Sequence, residues 1–311
     1  MNWNLFVTEL LAGSVHGCLY ALIALGYSMV YGILKLLNFA HGDIFMVGSF
    51  IGYGILSVFG GANALSIPIV FLLILMFVAA MLGGGLLGVA IERFAYRRLR
   101  DAPRIAPLIT ALGVSFFLEN AALLVVGANY DQYNTFNWDN GSLWSVGFTL
   151  AAGVRVALPQ LIVVGGTIVL MVALTLFVGR TQIGRAMRAT SFDRQAAEMM
   201  GIDVNRVIAT TFFIGSALAG AAGIFNGLVY QQVWAYMGFN AGLYAFTAAV
   251  IGGIGNLPGA VVGGLVVGLA ESFTIGYVSS TFSDAIVFAI LIAVMIIRPS
   301  GLFGRAALAK V

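Results

Sequence analysis

A polytopic all-α membrane bundle is the fold this sequence predicts, on three observations. Hydrophobic residues make up 61% of the 311 positions and charged residues only 9%, against about 45–50% and about 25% in soluble domains. The apolar residues gather into segments of roughly 20, the length at which an α-helix crosses a hydrocarbon core of about 30 Å. The 40 glycines suit helices whose backbones approach closely in lipid. Together these argue against a soluble enzyme.

About nine spans follow along the chain (eight to ten fit the pattern), at 5–31, 41–59, 66–92, 106–127, 159–179, 207–230, 242–256, 258–279 and 283–298. The first is a retained span, because "MNWNLFVTEL" has no Lys or Arg to form the basic end of a cleaved signal peptide. It holds the single cysteine, Cys18, which cannot close an intrachain disulfide and sits in no metal-ligand pattern. The second opens at His41-Gly42-Asp43, with Asp43 placed to be stabilised by the positive end of its helix. The third, sixth and eighth carry the small-residue steps Gly84/Gly88, Gly223/Gly227 and Gly264/Gly268, read as helix-packing contacts. Between the fourth and fifth lies a polar loop at 129–158 with Asp131 and Asp139. The seventh is short and interrupted by glycine, so a re-entrant helix is the other reading of it. Residues 1–311 form one transmembrane domain.

Charge sets the orientation, since Lys and Arg accumulate in cytoplasmic loops. With nine spans, all of the 15 basic residues except Arg155 fall on one side. They comprise Lys35, the run Arg93, Arg97, Arg98, Arg100 and Arg104, the island Arg180, Arg185, Arg188, Arg194 and Arg206, and the tail Arg298, Arg305 and Lys310. An even number of crossings would export the basic tail, so a full seventh crossing is preferred. The N-terminus and the 129–158 loop then lie outside, with the 180–206 loop and the C-terminus in the cytoplasm.

That loop holds "GRAMRATSFDRQAAEMMGIDVNR". Ser191 is placed to cap a short helix with Phe192, Ala196, Met199 and Met200 on one side, Gly201 suits a left-handed stop, and Asp203 can cap the next span. A topology anchor needs only Lys and Arg. Both signs of charge and two exposed methionines describe a docking surface for another protein, and Arg188, Phe192, Gln195, Ala196, Ala197, Met200 and Gly201 are its candidate residues.

Polar groups in the spans are candidates for a path through the membrane, where an ionisable side chain is costly and faces the bundle interior or water. They are His16, Asn38, Glu119, Asn120 and Asn226, with Glu271 beside them; helix–helix hydrogen bonds are their simpler reading. No Ser/His/Asp grouping or paired carboxylates suggest catalysis, so no catalytic residue and no metal ligand is assigned. No GxxxxGK[ST] is present and neither Lys35 nor Lys310 follows a glycine, so the chain lacks a phosphate-binding loop of its own. "FGGANALSIP" ending at Pro68 and "IGGIGNLP" ending at Pro258 share Gly-Gly, Asn, Leu and Pro in order. They suggest an inverted repeat of spans 1–4 and 6–9 about the fifth.

"QAAEMMGIDV" resembles the EAA signature that permeases of ABC importers present to their ATPases, with Gln195 where the signature has Glu. Its flanks, the stretch Leu37-Asn38-Phe39-Ala40-His41-Gly42-Asp43 and "GGIGNLPGAVVGG" resemble the LivH-type permeases of branched-chain amino acid importers across essentially the whole chain. The resemblance implies a permease subunit in the bacterial inner membrane, paired with a LivM-like second permease. It also implies two cytoplasmic ATPase subunits that carry ATP-Mg, and an extracytoplasmic binding protein delivering leucine, isoleucine or valine. Lipid and protein are the expected partners; nucleic acid is not. Permeases for urea and short amides share much of the pattern, and the residues alone also allow a proton-coupled secondary transporter using Glu119 and His16.

Overall fold

The computed structural model describes residues 3–59, 69–100, 102–103, 105–133, 137–138, 141–142, 147–149 and 154–304. The first repeat motif beyond Phe59, including Pro68, lies outside them, as do Arg104, Asp139, Arg305 and Lys310. The elements in chain order are α1 (Trp3–Leu34), α2 (His41–Phe59), α3 (Ile69–Ile91), α4 (Ile105–Val125), β1 (Asp131–Gln132), β2 (Asn137–Trp138), β3 (Gly141–Ser142), β4 (Gly147–Thr149), β5 (Arg155–Ala157) and α5 (Leu158–Arg180). They continue with α6 (Gln182–Phe192), α7 (Arg194–Met199), α8 (Val204–Tyr230), β6 (Gln232–Val233), α9 (Met237–Gly252), α10 (Leu257–Tyr277) and α11 (Ser283–Ile297). Eight of these helices are long and apolar enough to cross a membrane, with α9 the shorter apolar helix beside them. The strands pair only as two-stranded antiparallel ribbons, β1–β6, β2–β3 and β4–β5.

Glycine decides the packing. Along α1 and α10, Gly13 faces Gly268 and Gly17 faces Gly264; a Cβ on Gly17 would sit 2.8 Å from the Leu265 Cα. Along α3 and α8, Gly88 faces Ser216 and Gly84 faces Gly220 in the same spacing. The two tightest helix pairs are thus α1–α10 and α3–α8, and α2 lies on α3 as α9 lies on α10. An exchange of α1–α4 with α8–α11 maps each pair onto the other, which is the contact pattern an inverted repeat requires. The pairs meet where α2 crosses α9: a Cβ on Gly42 would lie 2.8 Å from Gly242 Cα. Only small residues allow backbones that close. By contrast α4, α5 and α11 are covered on little of their surface and turn residues such as Leu124, Ile168 and Ile296 outward, as lipid-facing helices do.

The seventh segment differs from the sequence expectation. Helix α9 starts five residues earlier and stops at Gly252, followed by Gly253 and Gly255 with φ of +101° and +92°. Sixteen residues give about 24 Å of helix, short of a hydrocarbon core. The reason is that α9 begins inside the bundle, with Gly238 against Asp43. It ends where Gly255 packs on Gly32 near the end of α1. Helix α2 likewise begins inside: Lys35, with φ +53°, turns the chain at the end of α1, and residues 40–43 are buried as the chain re-enters. Asp43 is therefore fully buried rather than interfacial.

One end of the bundle collects the C-terminal ends of α1, α3, α5, α9 and α11, the helices α6 and α7, and the start of α8 and α10. Every described Lys and Arg except Arg155 sits on these segments.

Candidate functional site

Two regions gather the chemistry, a helical elbow at the basic end and a pair of cavities along α1. The elbow is built from caps. Thr181 Oγ1 accepts from Gly184 N at 3.0 Å to start α6, and Gly184 lies so close to the Phe177 and Val178 carbonyls that no side chain would fit. Arg188 turns back and donates to Val178 O, closing a carbonyl at the end of α5. Asp193 then caps α7 by accepting from Ala196 N at 3.0 Å, and Asp203 caps α8 by accepting from Arg206 N at 3.1 Å. Gly201, at φ +81°, reverses the chain between them, with Ile202 N donating to Ala197 O at 3.1 Å.

These caps correct one expectation. Asp193, not Ser191, starts the short helix, which covers only Arg194–Met199; Ser191 donates instead to Arg188 O. Phe192 is the last residue of α6, not part of α7. The extended backbone of Asp193, with φ −150°, breaks the helix there, and a carboxylate caps as well as a hydroxyl. Within α7 Ala197 is buried and Ala196 half-buried, while Gln195 is exposed. Phe192, Met199 and Met200 are 95%, 82% and 83% exposed, three apolar side chains presented at the basic end. Behind the elbow the helix of α3 widens into a π-turn over Glu92–Tyr96 and tightens over Arg97–Leu99. This carries Arg100 onto the carboxylate of Glu92 and, at 2.5 Å, onto Asn205 Oδ1 in the first turn of α8. Burial holds the Arg100 guanidinium below its ordinary pKa, and the Glu92 charge beside it acts in the opposite direction.

Of the path candidates, the structure unites two. His16 stacks on Tyr230 with ring centroids 5.5 Å apart, and Asn226 lines a cavity of about 160 Å³ where α8 ends and α9 begins, together with Tyr20, Tyr230, Trp234 and Tyr244. A second cavity of about 100 Å³ at the basic end is lined by Ser28, Gly32, Met187, Arg188, Thr211 and Gly255. Between them α1, α2 and α9 close on one another at Tyr27, His41, Gly42 and Gly242. In this band the Ser28 hydroxyl, both His41 nitrogens and both Asp43 oxygens are buried without a well-formed hydrogen bond. Buried polar atoms are ordinarily paired, so the band has the character of a closed polar constriction.

The other candidates lie apart. Asn38 is buried under Tyr96, whose hydroxyl lies 3.1 Å from Asn38 Oδ1 and from Leu37 O. Glu119 is buried on the side of α4 that faces Asp43. Asn120 points away from the bundle and donates to Phe116 O at 2.7 Å; it lines neither cavity. Sequence reasoning missed Tyr20, Tyr230 and Tyr244, because a tyrosine within a span reads as core or interfacial belt until its neighbours are known.

The comparisons with known proteins bear on this architecture. Residues 10–295 match the family model described as "Branched-chain amino acid transport system / permease component". The chain belongs to that permease family. It is 40% identical over 308 residues to the high-affinity branched-chain amino acid transport system permease protein LivH of Escherichia coli strain K12, covering 98% of both chains. To BraD of Pseudomonas aeruginosa, a permease protein of the same description, it is 39% identical over 306 residues, again covering 98% of both. A probable LivH of Methanocaldococcus jannaschii is 28% identical over 299 residues, 93% of this chain and 90% of that protein. No solved structure matches the chain. As a permease of this family it is a multi-pass membrane protein and a transport subunit; the elbow and the two cavities are the parts of it that transport would use.

Proposed function

We propose that this permease is the LivH-like half of an ATP-driven importer of leucine, isoleucine and valine. The observation that carries the reading is the capped elbow: exposed Phe192, Met199 and Met200 on a short helix at the basic end, in a chain with no phosphate-binding loop. By the positive-inside rule that end is cytoplasmic and the N-terminus is outside. Two ATPase subunits bringing ATP-Mg dock on α7, a LivM-like permease completes the membrane pair, and an extracytoplasmic binding protein loads the cavity bounded by Tyr20, Tyr230 and Tyr244. Closure of the ATPase pair shifts α6 and α7, and the constriction at Gly42 and Gly242 parts so that the two cavities exchange access. The substrate assignment follows the printed names of LivH and BraD, which favour it over urea or short amides.

Purification of the chain in mild detergent from its native membrane tests this. A second permease and two ATPases should copurify, with ATPase activity stimulated by leucine-loaded binding protein. Recovery of the chain alone or as a homo-oligomer overturns the reading.

A further inference from the structure

We infer that the cavity at the junction of α8 and α9 is itself a recognition site for a zwitterionic amino acid, with an ammonium pole at Glu271 and a carboxylate pole at Asn226 and the first turn of α9. The inference rests on the amino-acid reading above and adds that the permease, not only a binding protein, reads the head group.

The ammonium pole is a carboxylate among rings. Glu271 Oε2 accepts from the Tyr20 hydroxyl at 2.8 Å, and its nearest basic group is His16 Nδ1 at 3.6 Å. Tyr244 stacks on Tyr20 with centroids 5.1 Å apart, and its own hydroxyl donates to Asp284. No Lys or Arg lines the cavity. Ring faces and carboxylates both attract a cation, and a carboxylate within a membrane bundle calls for one. Nothing printed around Glu271 supplies it permanently.

At the opposite pole, Asn226 is 8% exposed, lines the cavity and leaves its Nδ2 donor without a partner. Beside it Met237, the first residue of α9, also lines the cavity. The free backbone N–H groups and positive dipole end of a helix start favour an anion. Leu19, Ile23 and Phe45 supply the apolar wall between the poles. A cavity of about 160 Å³ compares with the ~150 Å³ of an engineered cavity that admits benzene, so a small aliphatic chain fits.

The test uses the purified complex with Cys18→Ala and Ala241→Cys, which places one thiol on the cavity wall. Labelling by a small methanethiosulfonate is timed with L-leucine, with 3-methylbutylamine (the amine pole alone) and with 4-methylpentanoate (the carboxylate pole alone). Leucine should slow labelling about tenfold, a change worth about 1.4 kcal/mol, and each half-ligand should slow it less. Glu271→Gln should remove protection by the amine and keep protection by the carboxylate; Asn226→Leu should do the reverse. Retained protection by one half-ligand also shows that each variant is folded. Where Glu271→Gln fails to assemble, Tyr20→Phe, which removes the hydroxyl that holds Glu271, should weaken protection by the amine alone. Equal protection by all three ligands, or amine protection that survives Glu271→Gln, overturns the site. Leucine uptake by the unmodified complex in liposomes is measured alongside. Uptake without any protection sinks this inference and leaves the proposed function standing; absence of both removes the proposed function itself.

Discussion

Asp193 and Gly201 bracket α7: the Asp193 carboxylate accepts from Ala196 N at 3.0 Å at one end, and Gly201 turns the chain at φ +81° at the other. Six helical residues cannot hold themselves as an isolated helix in water, so these two residues, with Ala197 buried beneath, set the angle at which Met199 and Met200 are presented.

Gly201→Val should therefore uncouple. A β-branched residue at positive φ costs about 1–3 kcal/mol, and the open space around Gly201 means that the strain stays local. Normal membrane insertion with loss of ATPase copurification is the expected outcome, checked by blotting both subunits from the same membranes. Asp193→Ala, which removes the cap at about 1 kcal/mol, should give a partial loss and Asp193→Ser should restore it.

The glycine seams predict a matched pair of destabilising changes. Gly17→Val in α1 and Gly220→Val in α8 each push a side chain into a facing backbone; overpacking of this kind costs about 1–3 kcal/mol. Melting temperature in detergent should fall for both. Gly165→Ala, where nothing lies within 4 Å, should leave it unchanged.

Arg100 and Glu92 should show strong coupling in a double-mutant cycle. Their side chains are 5% and 2% exposed, so Arg100→Met alone leaves a buried carboxylate at a cost of about 3–5 kcal/mol. Adding Glu92→Gln to it should recover most of the lost stability, as read by thermal unfolding of the purified complex. Additive losses would mean that the ion pair is not the link between the end of α3 and the start of α8.

The spans were legible because hydropathy in a membrane protein is a length measurement: eight of the nine segments coincide with long apolar helices to within a few residues. Gly201 and Asp203 were legible too, since left-handed turns and helix caps are local chemistry. The seventh segment was displaced because α9 begins with Asn240 beside the cavity, and a polar residue in a wet site lowers local hydropathy just as a loop does. Ser191 and Asp193 are both good caps, and only the backbone decides between them. Tyr20 and Glu271 are 251 positions apart, and no local pattern joins them. The repeat was faint in sequence because its evidence lay in short Gly-Gly motifs, whereas the seams Gly17–Gly264 and Gly84–Gly220 carry it in space.

Uptake of radiolabelled leucine by the purified complex in liposomes, with ATP enclosed on the side of α7 and leucine-loaded binding protein on the other, tests the central claim most directly. Uptake that requires ATP, ignores a proton uncoupler and disappears in Gly201→Val is the predicted result. Uptake by this chain alone that collapses with the uncoupler and is indifferent to ATP would contradict it.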